Sequence, residues 1–200
     1  MKTKTVSFCL SSMCLALVWG FPLTSQAAKT HLTEVARIAA PPEGKALVNI
    51  FHTGIPGPMG ANVRVPIFDE TGKFLIDLPD GAECQLILDP GTKSLIAWWM
   101  GNPINVLTAD LAPNKTYDLV FDKGLLADSV FVPLSKASRS LRNLDKLEHK
   151  LTHRIVTLDR DQVALDFEAS QKDHIEKIKA DFLGGPKSKR VIHVGKDDCR

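Results

Sequence analysis

The sequence predicts a mainly β protein, an antiparallel β-sandwich followed by a C-terminal α-helical hairpin. Three observations carry this expectation. Between Ala46 and Pro133, short runs rich in Val, Ile, Leu and aromatic residues recur with Gly, Pro, Asn and Asp turns between them, the spacing of a sandwich or barrel. Apolar residues alternate within several of these runs, as half-buried strands require. From Lys136 the apolar period lengthens to three or four residues, the mark of amphipathic helices.

At the N-terminus, Lys2 and Lys4 precede an uncharged stretch from Thr5 to Ala28 with an apolar centre from Cys14 to Trp19 and small residues Ser25 and Ala27 at its exit. This is the layout of a secretory signal peptide over residues 1–27, cut after Ala27. Ser11, Ser12, Gly20 and Pro22 interrupt the run, and a spanning helix needs ~20 predominantly apolar residues, so no transmembrane segment is expected after cleavage. The implied address is the periplasm or the exterior of a bacterial cell. Residues 28–42, ending in Pro41-Pro42, read as a linker.

The sandwich is expected over residues 43–135, with strands at Ala46 to His52, Val63 to Phe68, Phe74 to Leu78, Cys84 to Leu88, Ser94 to Met100, Ile104 to Leu111, Tyr117 to Phe121 and Val130 to Pro133. Thr71-Gly72, Asp89-Pro90-Gly91 and Pro113-Asn114 are among the turns that divide them. Val65 and Ile67 share one face with Val63. Phe74, Ile76 and Leu78 form a second set, and Tyr117, Leu119 and Phe121 a third, opposite Asp118. Ala46 to Phe51 is apolar on both parities, which predicts a strand covered on both sides.

Over residues 136–184, Leu141, Leu144, Leu147, Leu151, Ile155 and Leu158 predict a first helix. Asp159 with Gln162 in the capping-box position predicts the start of a second, which Gly184-Gly185-Pro186 would stop near Leu183. Residues 185–200 read as a basic and polar tail containing a short strand candidate, Val191 to Val194. Residues 28–135 carry 8 basic and 12 acidic side chains and residues 136–200 carry 15 and 11, so the two parts attract. The hairpin is therefore expected to dock on the sheet, near the doubly apolar first strand.

The whole chain has 25 basic and 23 acidic residues and is 44% hydrophobic. That balance excludes a polyanion binder working by bulk charge, so no nucleic-acid partner is expected, and it excludes a chain kept disordered by self-repulsion. Removing the leader leaves Cys84 and Cys199, and an oxidising compartment invites one disulfide between them. Against the disulfide, Cys84 shares the parity of Leu86 and Leu88 and should point into a core, whereas Cys199 sits in the polar tail.

Candidate partner contacts are the segment Gly54 to Gly60, which displays Ile55 and Met59, and the adjacent Trp98 and Trp99, of which one should face outward as a platform for a sugar or peptide. A packed helix covering that indole is the alternative. His149 and His153 stand four apart on the first expected helix and could share a metal ion, but zinc normally needs three or four protein ligands and no third is evident nearby. No nucleophile elbow or phosphate-binding loop occurs, so the chain reads as non-catalytic and cofactor-free, with an envelope protein or glycan as partner.

The runs Gly44-Lys45-Ala46-Leu47-Val48-Asn49-Ile50-Phe51-His52, Asp89-Pro90-Gly91-Thr92-Lys93-Ser94-Leu95 and Leu111-Ala112-Pro113-Asn114-Lys115-Thr116-Tyr117 resemble a family of small exported bacterial proteins. That family carries a transthyretin-like or PEGA-like β-sandwich domain of unknown function. The resemblance spans Pro42 to Asp122 and implies a fold and an envelope address. Its aromatic-basic ending of the first strand is replaced here by Phe51 and His52, which makes His52 a further contact candidate.

Overall fold

The computed structural model describes residues 30–53, 64–99, 102–123, 129–137, 154–187 and 191–199. The expected leader, 1–27, lies outside them. All eight expected strands form: β2 (Ala46–Phe51), β3 (Arg64–Asp69), β4 (Phe74–Pro79), β5 (Ala82–Leu88), β6 (Gly91–Trp99), β7 (Asn102–Leu111), β8 (Thr116–Lys123) and β9 (Ser129–Pro133). Three more lie outside that stretch: β1 (Leu32–Glu34), β10 (Arg154–Leu158) and β11 (Ile192–Val194). One α-helix among the described residues, α1, spans Gln162–Phe182.

The strands make two sheets, one in the order β1-β10-β5-β2-β8-β9 and one in the order β11-β7-β6-β3-β4. The expected antiparallel arrangement is corrected to a mixed one. β2 runs parallel to β8, β10 to β5 and β11 to β7, because these partners meet through long crossovers and not through hairpins. Alternation places the core as expected. Val65 and Ile67, Phe74, Ile76 and Leu78, and Tyr117, Leu119 and Phe121 all enter one cluster between the sheets. Each such side chain contributes about 1.5–3 kcal/mol by leaving water.

β2 is buried on both parities. Ala46, Val48 and Ile50 face the core, while Phe51 packs on the outer side against Val120, Val132, Leu134 and Ala137. No part of α1 supplies that cover. The helix lies instead at β4, where Phe167 meets Phe74 edge-on with centroids 4.9 Å apart and the Glu168 carboxylate accepts the Phe74 N–H at 2.7 Å. Ile175, Ile178 and Phe182 extend the core there. Docking near the first strand is thus corrected to docking at the outer strand of the other sheet, where Phe68 and Phe74 offer an apolar surface.

Of the expected helical hairpin, the second helix is present as α1, and the end of the first expected helix is strand. Ile155 and Leu158, expected on that helix, belong to β10, which pairs with β1 on one side and β5 on the other. The β-branched run Ile155-Val156-Thr157 suits a strand between two neighbours better than a helix. Residues 138–153, with Leu141, Leu144, Leu147 and Leu151, lie outside the described residues. The second helix exists with a different start. Asp161 is its N-cap, accepting the Ala164 N–H at 2.9 Å, while Asp159 accepts from Thr33 Oγ1 and Gln162 bonds Asp166. The expected stop holds: Gly184 has φ +128°, and a Cβ on Gly185 would lie 2.2 Å from the Ala180 carbonyl oxygen.

Neither the linker nor the tail stands apart from the sandwich. β1 comes from residues 28–42, and β11 from 185–200, so the sheets draw on more chain than 43–135. Lys136 Nζ holds the tail by donating to the His193 carbonyl at 2.9 Å and to Asp198 at 2.8 Å. The two cysteines are unpaired, as the inward parity of Cys84 and the place of Cys199 in the tail favoured. Cys84 is buried in the core and Cys199 stands free at the end of the tail, its thiol 2.8 Å from the Lys196 carbonyl oxygen.

Candidate functional site

Strand direction sorts the connections between two ends of the sandwich. One end carries the short turns β3–β4, β5–β6 and β7–β8, and local chemistry closes them. Asp69 Oδ1 accepts the backbone N–H groups of Thr71 and Lys73, Gly72 takes φ +86°, and Asn114 takes φ +59° while its side chain accepts the Gly44 N–H. At the opposite end lie the β4–β5 turn at 80–81 and the strand ends that flank residues 54–63, 100–101 and 124–128.

The floor of this second end is built from His52, Phe121, Phe131 and Asn105. His52 continues the inward parity of Val48 and Ile50 and is fully buried. Its backbone accepts the Gly81 N–H at 2.9 Å and donates to the Ala82 carbonyl at 3.0 Å. Its ring places Nδ1 3.2 Å from the Leu78 carbonyl oxygen and Nε2 3.8 Å from Asp80 Oδ1, and meets Phe121 edge-on. Phe121 stacks on Phe131 at 4.7 Å. Asn105 Nδ2 donates to the Phe131 carbonyl at 2.9 Å and Oδ1 accepts the Phe131 N–H at 2.8 Å, so one amide joins β7 of one sheet to β9 of the other.

His52, a contact candidate by sequence, is fully buried, with its ring set among Leu78, Asp80 and Phe121. Trp98 and Trp99 end β6 at the loop-bearing end, paired in register with Pro103 and Asn102 beyond a bulge after Ala97, and their side chains lie outside the described residues. Ile55 and Met59 also lie outside the described residues, within a segment both of whose flanks, Thr53 and Arg64, are at this end. The topology therefore brings the Trp98-Trp99 end of β6 to the same end of the sandwich as the two strand ends that flank residues 54–63. His149 and His153 lie outside the described residues; among those described, no group of three or more His, Cys, Asp or Glu side chains could hold a metal ion.

A second polar constellation crosses the outer face of the larger sheet. Arg37 pairs with the buried Glu83, Gln85 donates to Asn49 at 2.9 Å, and Asn49 donates to Asp118 at 2.8 Å. Gln85 also exchanges hydrogen bonds with both backbone groups of Ile38. These bonds seal the 35–38 segment onto β5. The signal for it was Asn49, a polar residue inside a doubly apolar strand. A groove of about 280 Å³ beside α1, lined by Lys73, Glu168, Lys172 and Glu176 among others, is open and charged. No protein-family model and no curated protein matches this chain.

Proposed function

We propose that this is an exported, non-catalytic protein of the bacterial envelope that binds a protein partner through the loop-bearing end of a transthyretin-like or PEGA-like sandwich. The observation that carries the reading is that the strand ends flanking residues 54–63 and the Trp98-Trp99 end of β6 lie at one pole, while the self-bonded β3–β4 and β7–β8 turns lie at the other. Binding proteins of β-sandwich architecture use such a pole because loops vary freely over a rigid floor. His52, Phe121, Phe131 and Asn105 supply that floor. No described helix is long and apolar enough to cross a membrane.

The test is affinity capture from envelope extract on immobilised mature protein, compared with an Ile55→Asp, Met59→Asp variant and a Trp98→Ala, Trp99→Ala variant. Loss of one specific partner in the first variant supports the reading. Equal capture by all three sinks it. A glycan retained by the native chain and lost only in the tryptophan variant moves the assignment to glycan recognition, a second reading that the position of β6 favours. Stoichiometric zinc lost in a His149→Ala, His153→Ala variant would instead point to a metal-dependent hydrolase.

A further inference from the structure

The face of α1 turned toward the β3–β4 turn is not filled. Leu165, Ala169, Lys172 and Glu176 recur at three or four residues, so they form one stripe along the helix, and opposite them stand Gly72 and Lys73 of the turn. Ala169 has only a methyl group and Gly72 no side chain, and the two walls enclose an open groove of about 280 Å³. From Leu165 to Glu176 the stripe is about 16 Å long, the reach of about five extended residues. Leu165, 40% exposed, gives one end of it an apolar surface.

The charges of the groove are unevenly matched. Glu168 is held by Arg160 at 2.9 Å and by the Phe74 N–H at 2.7 Å, with Lys73 as a more distant attraction, and Glu176 is held by Lys179 at 2.9 Å. The acids of the turn are engaged as well: Asp69 accepts from Thr71 and the Lys73 N–H, and Glu70 from the Ser94 N–H. Among the described residues, the ammonium groups of Lys73 and Lys172 have no hydrogen-bond or ion-pair partner. We propose that this groove binds an extended acidic peptide segment, with a carboxylate side chain between Lys73 and Lys172 and an apolar side chain on Leu165 and Ala169. Seven helical residues separate Leu165 from Lys172, about 10 Å, which two to three extended residues span. A peptide fits better than an anionic membrane or a polyanion, because Glu168 and Glu176 repel a uniformly negative surface and can accept the N–H groups of a peptide backbone. The groove stands at the pole of the short turns, so it is a second surface, independent of the loop-bearing end.

The experiment titrates the purified protein with the capped peptide Glu-Glu-Ser-Leu-Ser-Glu-Glu, which offers the required spacing in either chain direction, and follows amide chemical shifts. Saturable shifts at Gly72, Ala169 and Lys172 are expected. Lys73→Gln and Lys172→Gln should each weaken binding about two- to fivefold and the double variant about five- to twentyfold, while Lys177→Gln, on another face of α1, leaves it unchanged. Ala169→Trp, which fills the groove from an exposed position, should abolish binding without lowering the melting temperature. No saturable shift at these residues, equal binding by the double variant, or equal binding of the peptide with Gln in place of Glu overturns the proposal. Sodium acetate that produces the same shifts at equal carboxylate concentration shows a simple anion site and also overturns it. The Ile55→Asp, Met59→Asp variant should bind this peptide as the native chain does; loss in that variant would place the peptide at the loop-bearing end and refute a second surface.

Discussion

Replacing Asn105 by Leu removes an amide whose two ends are both committed to Phe131, on a strand of the other sheet. The substitution keeps a similar shape and leaves the Phe131 N–H and carbonyl, both in the interior, without partners. Each unsatisfied buried backbone group costs about 1–3 kcal/mol, so the pair should cost about 2–6 kcal/mol, a large part of the ~5–15 kcal/mol that holds a domain together. Urea unfolding followed by tryptophan fluorescence reads this directly. Asn105→Asp adds an internal control. The carboxylate still accepts the Phe131 N–H but faces the Phe131 carbonyl, which favours the protonated acid in the folded state and raises its folded pKa. Its shortfall against the native protein should therefore be smallest below the ordinary carboxylate pKa of about 4 and grow as pH rises through the raised folded value. An Asn105→Leu protein as stable as the native one, or an Asn105→Asp shortfall independent of pH, would refute the idea that this amide joins the sheets.

Phe182→Ala, which empties a buried site at the end of α1, should cost about 3–5 kcal/mol in the same assay, while Val163→Ala on the exposed face should stay within about 0.5 kcal/mol; equal costs would mean the helix does not dock as described. Truncation after Ser135 removes β10, α1 and β11 and should abolish cooperative unfolding, as calorimetry would show. Asp161→Ala should lower the melting temperature at neutral pH. The Ala164 N–H and then His31 hold the Asp161 carboxyl below its usual range, so its contribution is present above the unfolded-state value and is lost as pH falls through the folded one; the gap between variant and native should close in acid. In a thiol-labelling time course Cys199 should react in the native state and Cys84 only on unfolding, since burial raises the Cys84 thiol far above its ordinary pKa; simultaneous labelling would show that the core around β5 opens.

Period-two alternation and turn chemistry are local, and they were enough to place all eight strands from β2 to β9 and the parity of Cys84, Tyr117 and Phe121. The stop of α1 was equally local, because Gly184 and Gly185 meet a backbone requirement that no distant contact alters. Partnership was not local. Ile155, Val156 and Leu158 fit a helical spacing as well as a strand, and only the open edges of β1 and β5 decided for the strand. The burial of Ala46–Phe51 on both faces was legible, yet its cover came from Val132, Leu134, Ala137 and the 35–38 segment and not from a helix, since apolar surface is satisfied by whichever segment the topology brings near. The burial of His52 was not legible, because it follows from the parallel pairing of β2 with β8, which sets its ring against Phe121. Asn105, a single polar residue among apolar ones, carried no signal until the two sheets met, because a hydrogen bond between strands 26 residues apart exists only in three dimensions.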